Sequence, residues 1–343
     1  MIIEKIMTMN RIFRIPAAVL SVAAAGMLLS SGCAKEGSPS RDWAPLSFSA
    51  GTLEVAEAKA EPQTSATDFY IKGYDNGSQW FPLGSADPEH VTLEGGTRTY
   101  DTYKWKKGTT KTFYAYSNNL PASGASASVS STGVTLTYSA IPTSADGQTD
   151  VMLGRYSGDG NNAGTAALSF YHPLAQVVFV RGDITSVSAI STITIEGVYK
   201  SGTATLGSSG SASWSSTSGS ANVSQMVSST LPLTAGAQIG VPFMLIPQTL
   251  SARNVTVKVA CTISGVAKTL QTTFNTDAFA AGKKTTVKIN FNGADKVSFE
   301  VGVTAWGSNV IDTAAEAEPV YGLSFEGVTL DGWQGISSGE LDL

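Results

Sequence analysis

Charge, histidine and cysteine are all scarce in this chain, and each scarcity excludes something. Charged residues are 14% of 343 positions, while glycine alone numbers 35 and Ser and Thr are dense throughout. That composition suits strands and turns, not helices, which draw on periodic runs of Ala, Leu, Glu and Lys. No window longer than a few residues shows a helical period. Only two histidines occur, His90 and His172, far apart in sequence. There is no HExxH, no GxSxG and no P-loop pattern, and no pair of acids that the sequence places face to face. Asp87–Glu89 and Asp146–Asp150 fall in predicted turns, where acids are ordinarily solvated. The expectation is a protein that is not an enzyme and holds no metal or cofactor. Only two cysteines occur, Cys33 and Cys261. Cys261 lies in the apolar run Val257–Ile263 and reads as a buried small hydrophobe. No disulfide staples the fold, so it must stand on its apolar cores.

The first 32 residues read as a targeting segment. Lys5, Arg11 and Arg14 form a basic start, and Ala17–Leu29 is an apolar stretch too short to span a bilayer. Ser30, Ser31 and Gly32 follow, then Cys33. A signal that ends in Cys after small residues resembles a bacterial lipoprotein signal, which makes Cys33 the predicted site of lipidation. Leu29 stands one position further back than the usual box has it. Met9 is an alternative start that would leave residues 1–8 outside the protein. Residues 1–32 hold three of the 22 basic and one of the 27 acidic residues, which leaves 19 against 26 and a net charge of about −7. Such a balance argues against binding nucleic acid. Residues 33–43 form a polar tether ahead of the first predicted strand.

That strand covers Pro45–Val55, with Leu46, Phe48 and Ala50 on one face and Ser47 and Ser49 on the other. An unpatterned linker, 56–67, holds Lys59. Short strands follow at β-sandwich spacing: Asp68–Tyr74, Gln79–Leu83, Thr97–Lys104, Thr112–Ser117, Gly133–Tyr138, Asp150–Gly154 and Ala166–Tyr171. Leu120–Ser131 reads as a Ser/Ala/Gly loop. Phe170–Val180 holds His172-Pro173 between two apolar runs. Proline cannot donate to a ladder and pushes its predecessor into extended backbone, so this is a stiff kink between two buried strands. His172 reads as a buried imidazole bonded to backbone. Leu174–Val180, Ser191–Val198, Ser201–Leu206, Ile239–Ile246, Val255–Ile263, Ala267–Phe274, Lys284–Phe291 and Val297–Trp306 follow as strands. Pro242 and Pro247 mark Ile239–Ile246 as an edge or bulged strand. Gly207–Ser220, around Trp214, reads as a flexible hairpin.

Six motifs occur in order: Asp150-Val-Met-Leu-Gly154, Phe170-Tyr-His-Pro-Leu-Ala-Gln-Val177, Ile195–Leu206, Phe243-Met-Leu-Ile-Pro-Gln248, Ala281-Gly-Lys283 and Val301-Gly-Val-Thr-Ala-Trp306. Over residues 44–306 the chain resembles the fimbrillin-like (Mfa-like) lipoproteins, subunits of type V pili on Gram-negative outer membranes. The resemblance implies two tandem transthyretin-like Greek-key β-sandwiches, residues 44–172 and 173–306, and an extension, 307–343. It also implies assembly by strand exchange with other pilin subunits. A protease, often Arg-specific, removes the first strand of a lipid-anchored precursor, and a neighbour's extended segment fills the emptied groove. Here Leu46–Val55 would be the removable strand. The linker offers Lys59 and no arginine, while Arg41 lies before the strand, so Lys59 and Arg41 are the candidate cut sites. Leu323, Phe325, Val328 and Leu330 are spaced to fill alternate pockets of a groove and are the candidate donor residues. Asp312-Thr313-Ala314 resembles an acceptor for periplasmic O-glycosylation.

Two functions follow from this reading. One is a structural or adhesive fimbrial subunit. The other is a non-polymerising outer-membrane lipoprotein that anchors a pilus or binds host or bacterial glycans or proteins. Trp105 and Tyr103, with Trp80 and Tyr100 near them, are the candidate glycan contacts, and Lys104, Lys106 and Lys107 flank Trp105. The plainer reading of these aromatics is cross-strand packing.

Overall fold

The structure, a computed structural model, describes residues 42–50, 63–64, 66–182, 187–227, 234–274, 276–291 and 297–306. Residues 1–41, with Cys33 and Arg41, lie outside it, as do Lys59, Gly51–Val55 and the whole extension from 307.

Nearly every described element is a strand. The first half holds β1 (Trp43–Ala50), β2 (Gln63–Thr64), β3 (Asp68–Asp75), β4 (Ser78–Phe81), β5 (Glu89–Thr92), β6 (Thr97–Lys106) and β7 (Lys111–Ser117). It continues with β8 (Ala125–Ser130), β9 (Gly133–Tyr138), β10 (Leu153–Gly158) and β11 (Thr165–Tyr171). The second half holds β12 (Ala175–Arg181), β13 (Val187–Val198), β14 (Ser201–Leu206), β15 (Ala212–Ser218), β16 (Ala221–Met226) and β17 (Gln238–Leu245). It ends with β18 (Gln248–Thr249), β19 (Thr256–Ile263), β20 (Val266–Thr273), β21 (Ala278–Phe279), β22 (Lys283–Phe291) and β23 (Val297–Ala305). The chain is all-β, as its composition predicted.

The first sheet runs β4-β3-β7-β10-β11-β1-β6, with β5 added on β3 and β2 on β11. It curls until its ends meet: the Phe81 ring of β4 lies 5.0 Å from Tyr100 and 4.8 Å from Tyr103 of β6. The second half stacks two four-stranded sheets, β17-β12-β22-β23 and β16-β13-β19-β20. Its strands read inside and outside by turns, as in β19, where Val257, Val259, Cys261 and Ile263 are buried and the residues between them half-buried. The prolines of β17 predict an edge or a bulged strand, and it is an edge strand with a register shift in its pairing to β12.

A further sheet, β15-β14-β9-β8, takes two strands from each half. Two predicted loops are corrected by it. Ala125–Ser130, inside the predicted loop 120–131, is a strand because β9 offers it an edge, and Ala212–Ser218 is a strand on β14 rather than a flexible hairpin. Both segments are Ser-rich and half-exposed, so they carry little hydrophobic signal of their own.

Two apolar cores result. One lies within the curled sheet and is built on Leu46, Phe48, Phe69, Phe81, Trp105, Phe113 and Phe170. The other begins on the opposite face of the same sheet with Tyr74, Tyr114 and Tyr116. It passes through Leu136 and Tyr138 of the shared sheet and continues between the second-half sheets. β7 is therefore buried on both faces. Gly154 is needed where β10 crosses β11, since a Cβ there would lie 2.7 Å from the Phe170 ring.

Candidate functional site

Three places in the fold carry the side chains that the sequence singled out. The first is the groove that β1 fills. β1 pairs antiparallel with β6 from Trp43↔Lys106 to Ser49↔Thr97, and parallel with β11 from Ser47↔Thr165 to Ala50↔Leu168. The register with β6 shifts between Pro45 and Leu46, beside the strand's one residue without an N–H. Leu46 and Phe48 are wholly buried, while Ser47 and Ser49 are half-buried on the other face. The Phe48 ring lies 5.4 Å from Phe81, 5.5 Å from Phe113, 5.9 Å from Tyr100 and 6.3 Å from Phe69. Edge-to-face pairs of this kind contribute about 0.5–1.5 kcal/mol each beyond burial. Without β1, the facing edges of β6 and β11 would be left unpaired and the aromatic pocket open.

The second place is the corner between the halves. His172 is buried, as expected, but its bond is to a side chain and not to backbone. Its Nδ1 lies 2.9 Å from Asp150 Oδ1 and 2.8 Å from Oδ2. Asp150, expected to be a solvated turn acid, is thus held by the corner. The Trp306 ring stacks on the imidazole at 4.2 Å and 8°. The Pro173 carbonyl, with no ladder partner at the kink, accepts a 2.6 Å bond from Trp214 Nε1. Burial pushes the nearby Tyr138 hydroxyl well above its ordinary pKa, and the Asp150 charge raises it further. The corner is a structural device in which His172 is buried and Asp150 is partly open to solvent.

The third is the aromatic cluster proposed for glycans. Trp105 is 0% exposed, so it has no face to offer a sugar. Its Nε1 donates to the Thr109 carbonyl at 2.8 Å, and its ring packs on Phe113, Trp80 and Tyr156. Gly160, at φ +74°, lies flat on it; a Cβ there would meet the indole at 2.7 Å. Tyr103 is half-buried, and its hydroxyl accepts the Leu83 N–H at 2.8 Å. Trp80 carries the Lys111 ammonium 4.8 Å above its ring, and Lys111 pairs with Asp75. Desolvation, with Glu89 beside it, pushes the Tyr100 hydroxyl up to about 12.

Sequence reasoning missed a nearby group on the other face of the sheet. Tyr70 stands between His90, stacked on it at 4.8 Å, and Tyr116, stacked at 5.3 Å. Asp68 Oδ1 holds His90 Nε2 at 2.6 Å. The alternation of Asp68–Tyr74 places Asp68 and Tyr70 on one face, but their meeting with His90 and Tyr116 is a matter of pairing between strands. Among the described residues no group of three His, Cys, Asp or Glu could hold a metal ion. No described helix is long and apolar enough to cross a membrane.

Solved structures share this fold. One, provisionally described as a cell adhesion protein from Bacteroides ovatus, has 15% identity and a TM-score of 0.51, covering 79% of this chain and 100% of its own. A second such protein, from Bacteroides uniformis, has 16% identity and a TM-score of 0.49, covering 77% and 99%. The tip fimbrial protein Mfa3 from Porphyromonas gingivalis has 9% identity and a TM-score of 0.41, covering 77% and 99%. At these identities only the first bears on the argument, and it bears on the fold alone. No curated protein matches the sequence. The family model described as fimbrillin-like matches residues 60–306, most of the chain and all of its second half up to Trp306. The chain belongs to the fimbrillin-like family.

Proposed function

We propose that this protein, fimbrial by family, is a structural or adhesive subunit of a type V pilus that assembles by strand exchange after losing its first strand. Cys33 carries the lipid that holds the precursor at the outer membrane, and residues 44–172 and 173–306 are its two sandwich domains. The observation that supports the reading best is the seat of β1. It is an extended, alternating strand paired on both edges, with Phe48 inserted among four rings. An extended segment of the same alternation from another subunit would satisfy both edges and refill the pocket. Such a contact is heterologous and propagates. Lys59 lies between β1 and β3, where a cut frees β1, whereas a cut at Arg41 frees only the tether. Leu323, Phe325, Val328 and Leu330 supply the donor.

Intact mass and N-terminal sequence of the protein from native cell surfaces test this. The expected product begins at Ala60 without lipid. A product that still begins at acylated Cys33 keeps β1 in its groove and overturns strand exchange in favour of a resident anchor.

A further inference from the structure

We propose that the recess over Tyr70 and Tyr116 binds one neutral sugar residue of a glycan. The recess has a volume of about 450 Å³, within the roughly 300–1,000 Å³ of small-ligand sites. Its floor is the tyrosine pair of β3 and β7. Asp87 and Pro88, ahead of β5, form one wall, and Asn118, Asn119 and Leu120, after β7, form the other.

The floor is preorganised. His90, Tyr70 and Tyr116 make a ladder of stacked rings across three paired strands. Asp68 clamps the outer end through His90 and also accepts from the Asn118 amide at 3.2 Å. Rings so braced hold their hydroxyls in place, which lowers the ordering cost of binding. Neither the Tyr70 nor the Tyr116 hydroxyl hydrogen-bonds another described residue, and both line the recess. Burial keeps the Tyr116 hydroxyl protonated, and Tyr70 and then Asp87 raise its pKa further.

The chemistry of the lining selects the ligand class. The two phenols both donate and accept; the Asp87 carboxylate only accepts. The Asn118 carbonyl is spare, its amide being turned to Asp68. Asn119 is held in place, donating to the Asp150 carbonyl and accepting from Ser117, and serves as wall. Pro88 and Leu120 add apolar surface at the rim. Adjacent hydroxyls on a ring with an apolar C–H face match such a set. An anion is disfavoured because no lining residue is cationic and Asp87 would repel it. A cation would find the one acid, but both faces of Tyr70 are covered by its neighbours and the rest of the lining, apart from Asp87, is uncharged. The site does not depend on strand exchange and holds for a shaft, tip or anchor subunit alike.

The test is saturation-transfer NMR on the full chain with the methyl glycosides of glucose, galactose, mannose and N-acetylglucosamine, and with choline as a cationic probe. At least one glycoside should bind, with a millimolar Kd, and choline should not. Tyr70→Phe, Tyr116→Phe and Asp87→Asn should each weaken binding about 3- to 10-fold, the worth of one hydrogen bond. Leu83→Ala, on an exposed turn away from the recess, should leave it unchanged. Asp87 is exposed, so its variant folds whatever the tyrosine variants do, and melting temperatures check the latter. Failure of every glycoside to bind overturns the proposal, as does binding of choline alone. Binding that survives Asp87→Asn combined with both tyrosine changes overturns it too.

Discussion

β1 and β12 occupy the same place in their sheets, yet the chain secures them differently. Each runs parallel to a late strand, β11 or β22, and antiparallel to another, β6 or β17. β12 follows directly from the His172 corner, where Trp214, Asp150 and Trp306 fix the chain just before the strand begins. β1 has no such corner among the described residues; Leu46 and Phe48 hold it by their side chains. The cores differ in degree as well. Phe48 meets four rings, whereas Phe179 of β12 meets three, Phe243, Phe274 and Phe299, in a core otherwise rich in Ile, Val and Leu. Equivalent topology therefore does not mean equivalent attachment. A strand held mainly by what it inserts is one that a similar insert can replace.

The largest test of that contrast is a chain beginning at Ala60. Amide exchange should lose its protection across β6 and β11 and keep it across β12 and β22. Loss in both halves would end the contrast, because β1 would then be as integral as β12.

Single substitutions should be smaller in effect. Phe48→Ala and Phe179→Ala, each emptying a wholly buried ring site, should each cost about 3–5 kcal/mol in urea unfolding. The contrast sharpens if Phe48→Ala exposes the β1 amides alone while Phe179→Ala lowers protection throughout the second half. At the corner, His172→Ala removes a buried partner of Asp150 and the stack on Trp306, for about 1.5–3 kcal/mol, read as a lowered Tm with a shift in tryptophan fluorescence.

The pH response should be smaller again near neutrality and appear in alkali. Burial raises the pKa of Tyr74, Tyr100, Tyr116, Tyr138 and Tyr156 in both cores. A raised folded pKa means that the contribution is complete below the ordinary tyrosine value near 10 and is lost as pH climbs through the folded values, about 12 for Tyr100. Tyrosinate absorbance should therefore rise together with unfolding. Tyr199 should ionise first, since a hydrogen bond from Thr217, then Arg253, lowers its pKa. Buried tyrosines that titrate one by one without unfolding would refute this.

Much of the fold was legible because alternation is a local signal. Gly133–Tyr138 and Ser201–Leu206 were predicted with the bounds the structure has. The strands Ala125–Ser130 and Ala221–Met226 were not: Ser and Ala mark no face in the first, and in the second one of the two buried residues is the polar Gln225. The candidate site was less legible. β1 reads as a strand, but nothing local says that its parallel partner lies at Thr165. Burial of His172 could be argued from its setting, but not its choice of Asp150 over backbone. For Trp105 a signal was present: in Lys104-Trp105-Lys106 the lysines mark the outer face, which puts the indole inside, yet their charge suggested an exposed binding surface. The Tyr70–Tyr116 ladder had no such signal, since two tyrosines 46 positions apart in number meet only through the register of β3 with β7.

The shared sheet has a mechanical consequence. Two β-sandwiches joined only by a covalent link can swing like beads on a string. Here the link at His172-Pro173 is doubled by five paired positions between β9 and β14, from Val134↔Leu206 to Tyr138↔Gly202. To bend at the waist, the molecule would have to unzip that ladder and expose Leu136, Ala204 and Leu206 to water. The joint between the described halves is then stiff, and it resists a pull or twist that a lone covalent link would pass on as a swing.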